Sequence, residues 1–371
     1  MENQAAHLTA SPRSAVRRRW PELAAPITAI CAALYAAAAG LWLALGHQYP
    51  FGTGTFQSPS LLTRDWPSQS AAVLAIGAAL AGSVLAGLVA RRRRPGRLLT
   101  GAVVVFATAF ALAFLTVVAD TSMLAILGYL PFMIVKLVSD PGWFAGRDIP
   151  WAGVANEYAV LAGSVLWIAV AVVTVRRRVG ACLVCGRPGL DASRAHRPAA
   201  RRSPVWGAAA VWTAIAIPLI YAATRFAWAV GIPLGLDDDF YRWLRSEGGL
   251  SAAVGLASMA AVGAVLTWGL IARWGERIPA WVPGLGGHDV PVAAAVVPAL
   301  FVASVIFPAG LQMIREGLGL APGLVSTVTP ADWGAYGPTL LWPLWSVALS
   351  AGAISYWLRR RGACPRCGRA D

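Results

Sequence analysis

Arg176-Arg177-Arg178-Val179-Gly180-Ala181-Cys182-Leu183-Val184-Cys185-Gly186-Arg187 stands near the middle of the chain, and Arg359-Arg360-Arg361-Gly362-Ala363-Cys364-Pro365-Arg366-Cys367-Gly368-Arg369 stands near its end. Each copy follows an apolar run of about 20 residues, the length a helix needs to cross a bilayer. A basic stop followed by a Cys-x-x-Cys-Gly-Arg knuckle therefore closes each half of the sequence.

The composition agrees with a membrane setting. Hydrophobic residues make up 57% and charged residues 13% of the chain, and the mean hydropathy is +0.61. A soluble domain of this size carries roughly 25% charged residues. The formal net charge is +14, but the basic residues flank the apolar runs. Membrane topology accounts for them, and nucleic-acid binding is not expected. Every basic residue except Lys136 is arginine. With the heavy Ala and Gly usage, this suggests a GC-rich bacterial genome and hence a bacterial plasma membrane.

Eight spans are predicted: Ile27–Gly46, Ala71–Ala90, Leu98–Ala119, Tyr158–Val175, Val205–Gly231, Ser251–Ala272, Val290–Phe307 and Pro338–Leu358. Met123–Val138 is apolar but holds Pro131 and Lys136. It is expected to be re-entrant or to lie on the outer surface, because a charge inside the bilayer is costly. With that segment excluded, residues 1–26, 91–97, 176–202, 273–277 and 359–369 share one side and carry most of the 31 basic residues. The positive-inside bias makes that side cytoplasmic and puts both termini there.

The sequence also repeats internally. Tyr35 and Trp42 recur as Tyr221 and Trp228, Ser70–Val73 recurs as Ser251–Val254, and Trp151, Cys182 and Cys185 recur as Trp333, Cys364 and Cys367, at nearly constant separation. The expected fold is an all-α polytopic bundle built of two tandem four-span repeats. Four is even, so both repeats insert the same way up, in parallel orientation. The divisions are a disordered basic segment 1–26, the first repeat 27–178, a cytoplasmic connection 179–204 with the first knuckle, the second repeat 205–361, and the second knuckle 362–371.

Cys-x-x-Cys-Gly sets two thiolates on one tight turn, and two such turns supply the four ligands of a closed tetrahedral zinc site. A duplication would bring Cys182, Cys185, Cys364 and Cys367 together near its pseudo-two-fold axis, with zinc as a structural clamp. The alternative reading is a membrane thiol/quinone oxidoreductase, since a Cys-x-x-Cys thiol beside arginine can have a lowered pKa. Four spans with a Cys-x-x-Cys pair resemble the thiol-oxidising enzymes of the vitamin K epoxide reductase type. There the active pair faces the oxidising side with a quinone nearby. Here both pairs follow the basic stop on the reducing side, so no residue is carried over.

Arg225 is the one basic residue within a predicted span. It is a candidate for a substrate or interface contact, set against snorkelling beside Trp228. Asp148 with Trp151 and Asp332 with Trp333, together with Glu157 and Glu316, could line an outer cavity. No nucleotide-binding, serine-hydrolase or zinc-protease signature is present, so an enzyme is the less favoured reading. The run Tyr221–Gly235 resembles uncharacterised multi-pass membrane proteins of actinobacterial type, a resemblance that implies no assigned activity. The reading is a transporter-like or scaffold module in the lipid bilayer. A soluble partner on the Arg-rich loops stays open, as does the oligomeric state.

Overall fold

A computed structural model describes residues 12–47, 49–50, 67–140, 142, 151–187, 205–246, 249–320, 329–364 and 366–368. Among them the chain is helical with no strand. Ten longer helices follow one another: α1 Pro12–Ala44, α2 Ser68–Arg91, α3 Arg97–Ala113, α4 Ser122–Ser139, α5 Trp151–Arg178, α6 Val205–Ala229, α7 Asp238–Ser246, α8 Gly249–Trp268, α9 Val292–Gly317 and α10 Trp342–Arg360. A π-helical turn, Phe114–Val118, extends α3. The loop 51–66, the Arg-rich part of the connection from 188 to 204 and Asp148 lie outside the described residues.

Eight helices are long and apolar enough to cross a membrane. They make this an integral membrane protein, but the set differs from the expected one in two places. α4 belongs to it, running unbroken through Pro131, and α10 does not. α10 ends in Arg359 and Arg360 and carries Ser346, Ser350, Ser355 and Tyr356, which lower its hydropathy. Its 19 residues still extend about 28 Å at 1.5 Å per residue. It runs antiparallel to α9: Ser346 Oγ donates to Ala303 O at 2.7 Å, and Tyr356 Oη donates to Gly275 O at 2.7 Å, beyond the other end of α9. α4 starts where α5 starts: Ser122 Oγ lies 3.3 Å from both Glu157 oxygens, and Tyr158 Oη donates to Met123 O at 3.1 Å. The chain is therefore back at that same end by Trp151.

Helix pairing follows one pattern in both halves. α1 packs on α2 and α6 on α8, α3 on α5 and α9 on α10, and α1 on α5 and α6 on α10. Each half has its own apolar core. One contains Ala86, Val103, Trp167 and Val170, the other Val211, Ala264, Leu349 and Tyr356. A third apolar core joins the halves: Phe114, Met123 and Leu161 meet Val305, while Tyr158 stacks on Phe301 with centroids 6.3 Å apart. Beside it Arg315 of α9 crosses the same contact, its Nη2 donating to Thr116 O at 2.5 Å.

The arginine stops do more than mark topology. Arg177 donates to Val89 O, Arg92 O and Pro21 O at 3.3–3.5 Å, tying the ends of α2 and α5 to the first third of α1. Arg359 donates to Leu270 O at 2.9 Å and pairs with Glu276 at 2.8 Å, and Arg360 donates to Glu276 O and Val290 O at 3.2 Å. These guanidinium groups fix the helix ends and the connection after α8 by capping their backbone carbonyls. The basic clusters around 19–22, 91–97, 176–187, 273–277 and 359–366 thereby gather at one end of the bundle, the knuckle end.

Candidate metal centre

Each knuckle is a turn closed by its own backbone. Gly186 N donates to Cys182 O at 2.8 Å and Cys182 N to Arg187 O at 2.9 Å; in the second, Gly368 N donates to Cys364 O at 2.8 Å. Gly186 and Gly368 take φ of +76° and +70°, the left-handed region where a Cβ is strained. The glycine after the second cysteine is therefore part of the turn's geometry. Arg176, at the end of α5, folds over the first turn, its Nη1 donating to Leu183 O at 2.8 Å and Val184 O at 3.2 Å.

The four sulfurs converge. Cys182 Sγ lies 3.8 Å from Cys364 Sγ and Cys185 Sγ lies 3.6 Å from Cys367 Sγ, and all four are within 4.8 Å of one another. These separations are far beyond the roughly 2.05 Å of a disulfide. A tetrahedral centre with metal–sulfur bonds of about 2.3 Å has sulfur–sulfur edges of about 3.8 Å, which the Cys182–Cys364 and Cys185–Cys367 spacings match. Each half of the chain contributes two donors, as the sequence anticipates.

Backbone amides surround the sulfurs. The amides of Val184 and Cys185 point at Cys182 Sγ, those of Arg366 and Cys367 at Cys364 Sγ, and that of Arg187 at Cys185 Sγ. Burial pushes the Cys364 thiol up, but its amide donors and the neighbouring thiols overcome this and bring it to about 6. The same balance lowers Cys182. At Cys185 burial dominates, and the three other cysteines add to it, so its thiol is pushed up to about 12. The cluster thus gives up its first protons readily and holds the Cys185 proton tightly.

A residue outside the expected ligand set bridges the two knuckles. Arg187 is 8% exposed and donates to Gly362 O through Nη1 at 3.4 Å and Nη2 at 3.3 Å. Arg366, from the second knuckle, pairs with Glu22 of α1 at 3.2 Å. The shared Cys-Gly-Arg pattern was the sequence signal for Arg187; its reach of 175 residues along the chain was not legible there.

Arg225 sits elsewhere. It is 6% exposed near the opposite end of α6, donating to Thr224 Oγ1 at 2.7 Å, Gly334 O at 2.8 Å and Ala335 O at 2.6 Å. Its guanidinium lies 3.8 Å from the Tyr221 ring centroid and 4.7 Å from that of Trp228. It pins the segment before α10 against α6. Gly235 and Gly334 touch beside it, Gly334 N donating to Gly235 O at 2.8 Å, and a Cβ on either would collide with the other strand of chain. Asp332 is buried and accepts from Asp237 N at 3.0 Å, Thr329 N at 3.0 Å and Thr329 Oγ1 at 2.8 Å. Glu157 and Glu316 are both buried, the first holding Ser122 and the second accepting from Gln312 Nε2 at 3.2 Å. Trp151 and Trp333 are half-exposed, as interfacial tryptophans are.

Comparison with protein-family models, curated proteins and solved structures returns no match for this chain.

Proposed function

We propose that this is a non-enzymatic scaffold of the bacterial plasma membrane. It consists of two parallel four-span repeats locked together on the cytoplasmic face by one structural zinc ion. The observation that carries this reading is the convergence of four sulfurs, two from each half, to within 4.8 Å. The donor set is all thiolate and four in number, which suits zinc in a closed structural site, with no place left for substrate. The recurrence of the same helix pairings in both halves supports the duplication. The gathering of arginines at the knuckle end supports a cytoplasmic placement of that end.

Of the transporter-like and scaffold readings, the filled seam favours the scaffold, with Arg315 tied to Thr116 O across it. Phe114, Leu161, Phe301 and Val305 fill the contact between the halves, and a zinc clamp with the Arg187 bridge opposes rocking of one half on the other.

Elemental analysis of protein purified without added metal tests this. The expected result is one zinc per chain, lost when Cys182, Cys185, Cys364 and Cys367 all become serine. Thiols that hold no metal and cycle with a quinone would instead establish the membrane oxidoreductase.

A further inference from the structure

The arginines at the knuckle end are not all used alike. Arg176, Arg177 and Arg360 donate to carbonyls of the chain itself, Arg359 pairs with Glu276, and Arg366 pairs with Glu22. The stop between α2 and α3 differs. Five of the seven residues from 91 to 97 are arginine, and all five are exposed. Among the described residues none of them pairs with a carboxylate. Topology does not require this excess: the corresponding connection of the other half, Gly269–Pro291, sets Arg273 and Arg277 against Glu276 and Asp289. The backbone that carries the five is fixed at the end of the bundle, since Pro95 is buried and Arg177 of α5 donates to Val89 O and Arg92 O.

These arginines stand at the head of an exposed apolar strip. Leu98, Val105 and Leu112 follow one another at intervals of seven residues, on one face of α3, and are 91%, 68% and 54% exposed. Gly101 lies on the same face, and a Cβ there would meet nothing within 4 Å. The same holds at Gly87 of α2, about one turn before Arg91. Leu98 to Leu112 is about 21 Å of helix, more than the roughly 15 Å hydrocarbon depth of one leaflet. Cationic and apolar surface therefore meet at the first turn of α3. An acyl chain beneath a charged headgroup presents the matching sequence of surfaces.

We propose that the Arg91–Arg97 link and the Leu98, Val105 and Leu112 strip form a binding site for an anionic phospholipid, its phosphate held by the arginines and its acyl chain laid along α3. Charge selects the headgroup. Guanidinium forks suit phosphate oxygens, and clustered arginines just outside a spanning helix attract anionic lipid. A zwitterionic head brings its own cation against five positive charges. The strip selects a lipid over a soluble partner: an acidic protein would match the arginines but not a surface that runs into the bilayer. This site rests on α2 and α3 spanning the membrane and is independent of the knuckle metal.

The test uses full-length protein in phosphatidylcholine nanodiscs holding a trace of lipid with a diazirine in its acyl chain, either phosphatidylglycerol or phosphatidylcholine. Phosphatidylglycerol is expected to label peptides containing Leu98 to Leu112 more strongly than phosphatidylcholine does. Unlabelled phosphatidylglycerol should compete, and salt raised from about 0.05 M to about 0.5 M should narrow the difference. Arg93→Gln, Arg94→Gln and Arg97→Gln, made singly, each leave four of the five charges to hold the topology. Each should lower phosphatidylglycerol labelling relative to phosphatidylcholine about fivefold, whereas Arg242→Gln in α7 should not change it. Three results would overturn the proposal. One is equal labelling of the strip by the two lipids, which would leave the arginines to a soluble acidic partner. Another is indifference to all three substitutions. The last is loss of the preference on adding free glycerol phosphate, which would assign the arginines to a soluble phosphate instead.

Discussion

Arg187 of the first knuckle and Gly362 before the second are joined across the chain by two hydrogen bonds from one guanidinium, at 3.3 and 3.4 Å. The contact converts two local turns into one clamp. An arginine fork can satisfy one carbonyl with both terminal nitrogens, whereas a lysine offers a single point charge.

The first prediction concerns this clamp. Arg187→Ala leaves all four sulfurs in place but frees one knuckle from the other. Loss of an outer partner of a metal site costs about 10–100-fold in affinity. Zinc competition against a chromogenic chelator should show a loss of that order, with Arg187→Lys in between. An unchanged affinity would mean that the sulfurs alone hold the knuckles together.

Metal loading will release protons, in a way that depends on pH. Burial and the neighbouring sulfurs keep the Cys185 proton on up to about pH 12, while amide donors hold Cys364 at about 6. At pH 7 Cys364 is mostly ionised before metal arrives, and Cys185 gives up its proton only to the metal. Apparent affinity therefore rises with pH above 6. Below about 6 Cys364 must also be deprotonated, and the dependence steepens. Calorimetry of zinc binding in two buffers of different ionisation heat counts the protons; an affinity flat from pH 5 to 8 would contradict the assignment.

Arg225 gives a prediction that separates structure from substrate. Its guanidinium bonds Gly334 O and Ala335 O from a buried position. Charged hydrogen bonds of this kind are worth about 1.5–3 kcal/mol. Arg225→Gln should lower the thermal midpoint in detergent and raise amide exchange around residues 332–341. A variant of wild-type stability with normal exchange would restore a ligand-binding role.

Asp332 carries an acid-sensitive part of the same region. Burial opposes its ionisation, but the Asp237 amide and the Thr329 hydroxyl and amide outweigh that and hold its carboxyl below the usual range. A lowered folded-state pKa contributes stability above the unfolded value, about 3.9, and loses it as pH falls through the folded value. Asp332→Asn presents an NH₂ where an acceptor is required, and should cost about 1–3 kcal/mol at pH 7. The variant should also lose this residue's share of the stability drop on acidification, measured by unfolding at pH 7 and pH 3.5.

Topology has its own test. An impermeant maleimide applied to intact cells should leave Cys182, Cys185, Cys364 and Cys367 unlabelled. The same reagent on inverted vesicles stripped of metal should reach Cys367, which is exposed. Labelling of Cys182 but not Cys364 from outside would set the halves upside-down relative to each other.

The sequence by itself determined the class and the four cysteines of the candidate site. Apolar runs of bilayer length, each stopped by arginine, leave helices as the structure that satisfies its own backbone in lipid. Two matched Cys-x-x-Cys-Gly turns name four sulfurs. These are local properties, written in composition and spacing. Only the tertiary structure decided which helices run the length of the bundle. α10 has too many polar residues to read as strongly apolar, yet it must reach the knuckle end for Cys364 to meet Cys182; α4 reads as apolar, yet its neighbours meet at one end of it. The structure also decided that Arg225 bonds backbone rather than a cavity, that Arg187 bridges the knuckles, and that the arginines between α2 and α3 meet no carboxylate among the described residues while those of the other stops hold the chain itself. Each of these depends on what lies opposite a side chain from a distant part of the chain. Hydropathy and motif spacing carry no information about that; packing does.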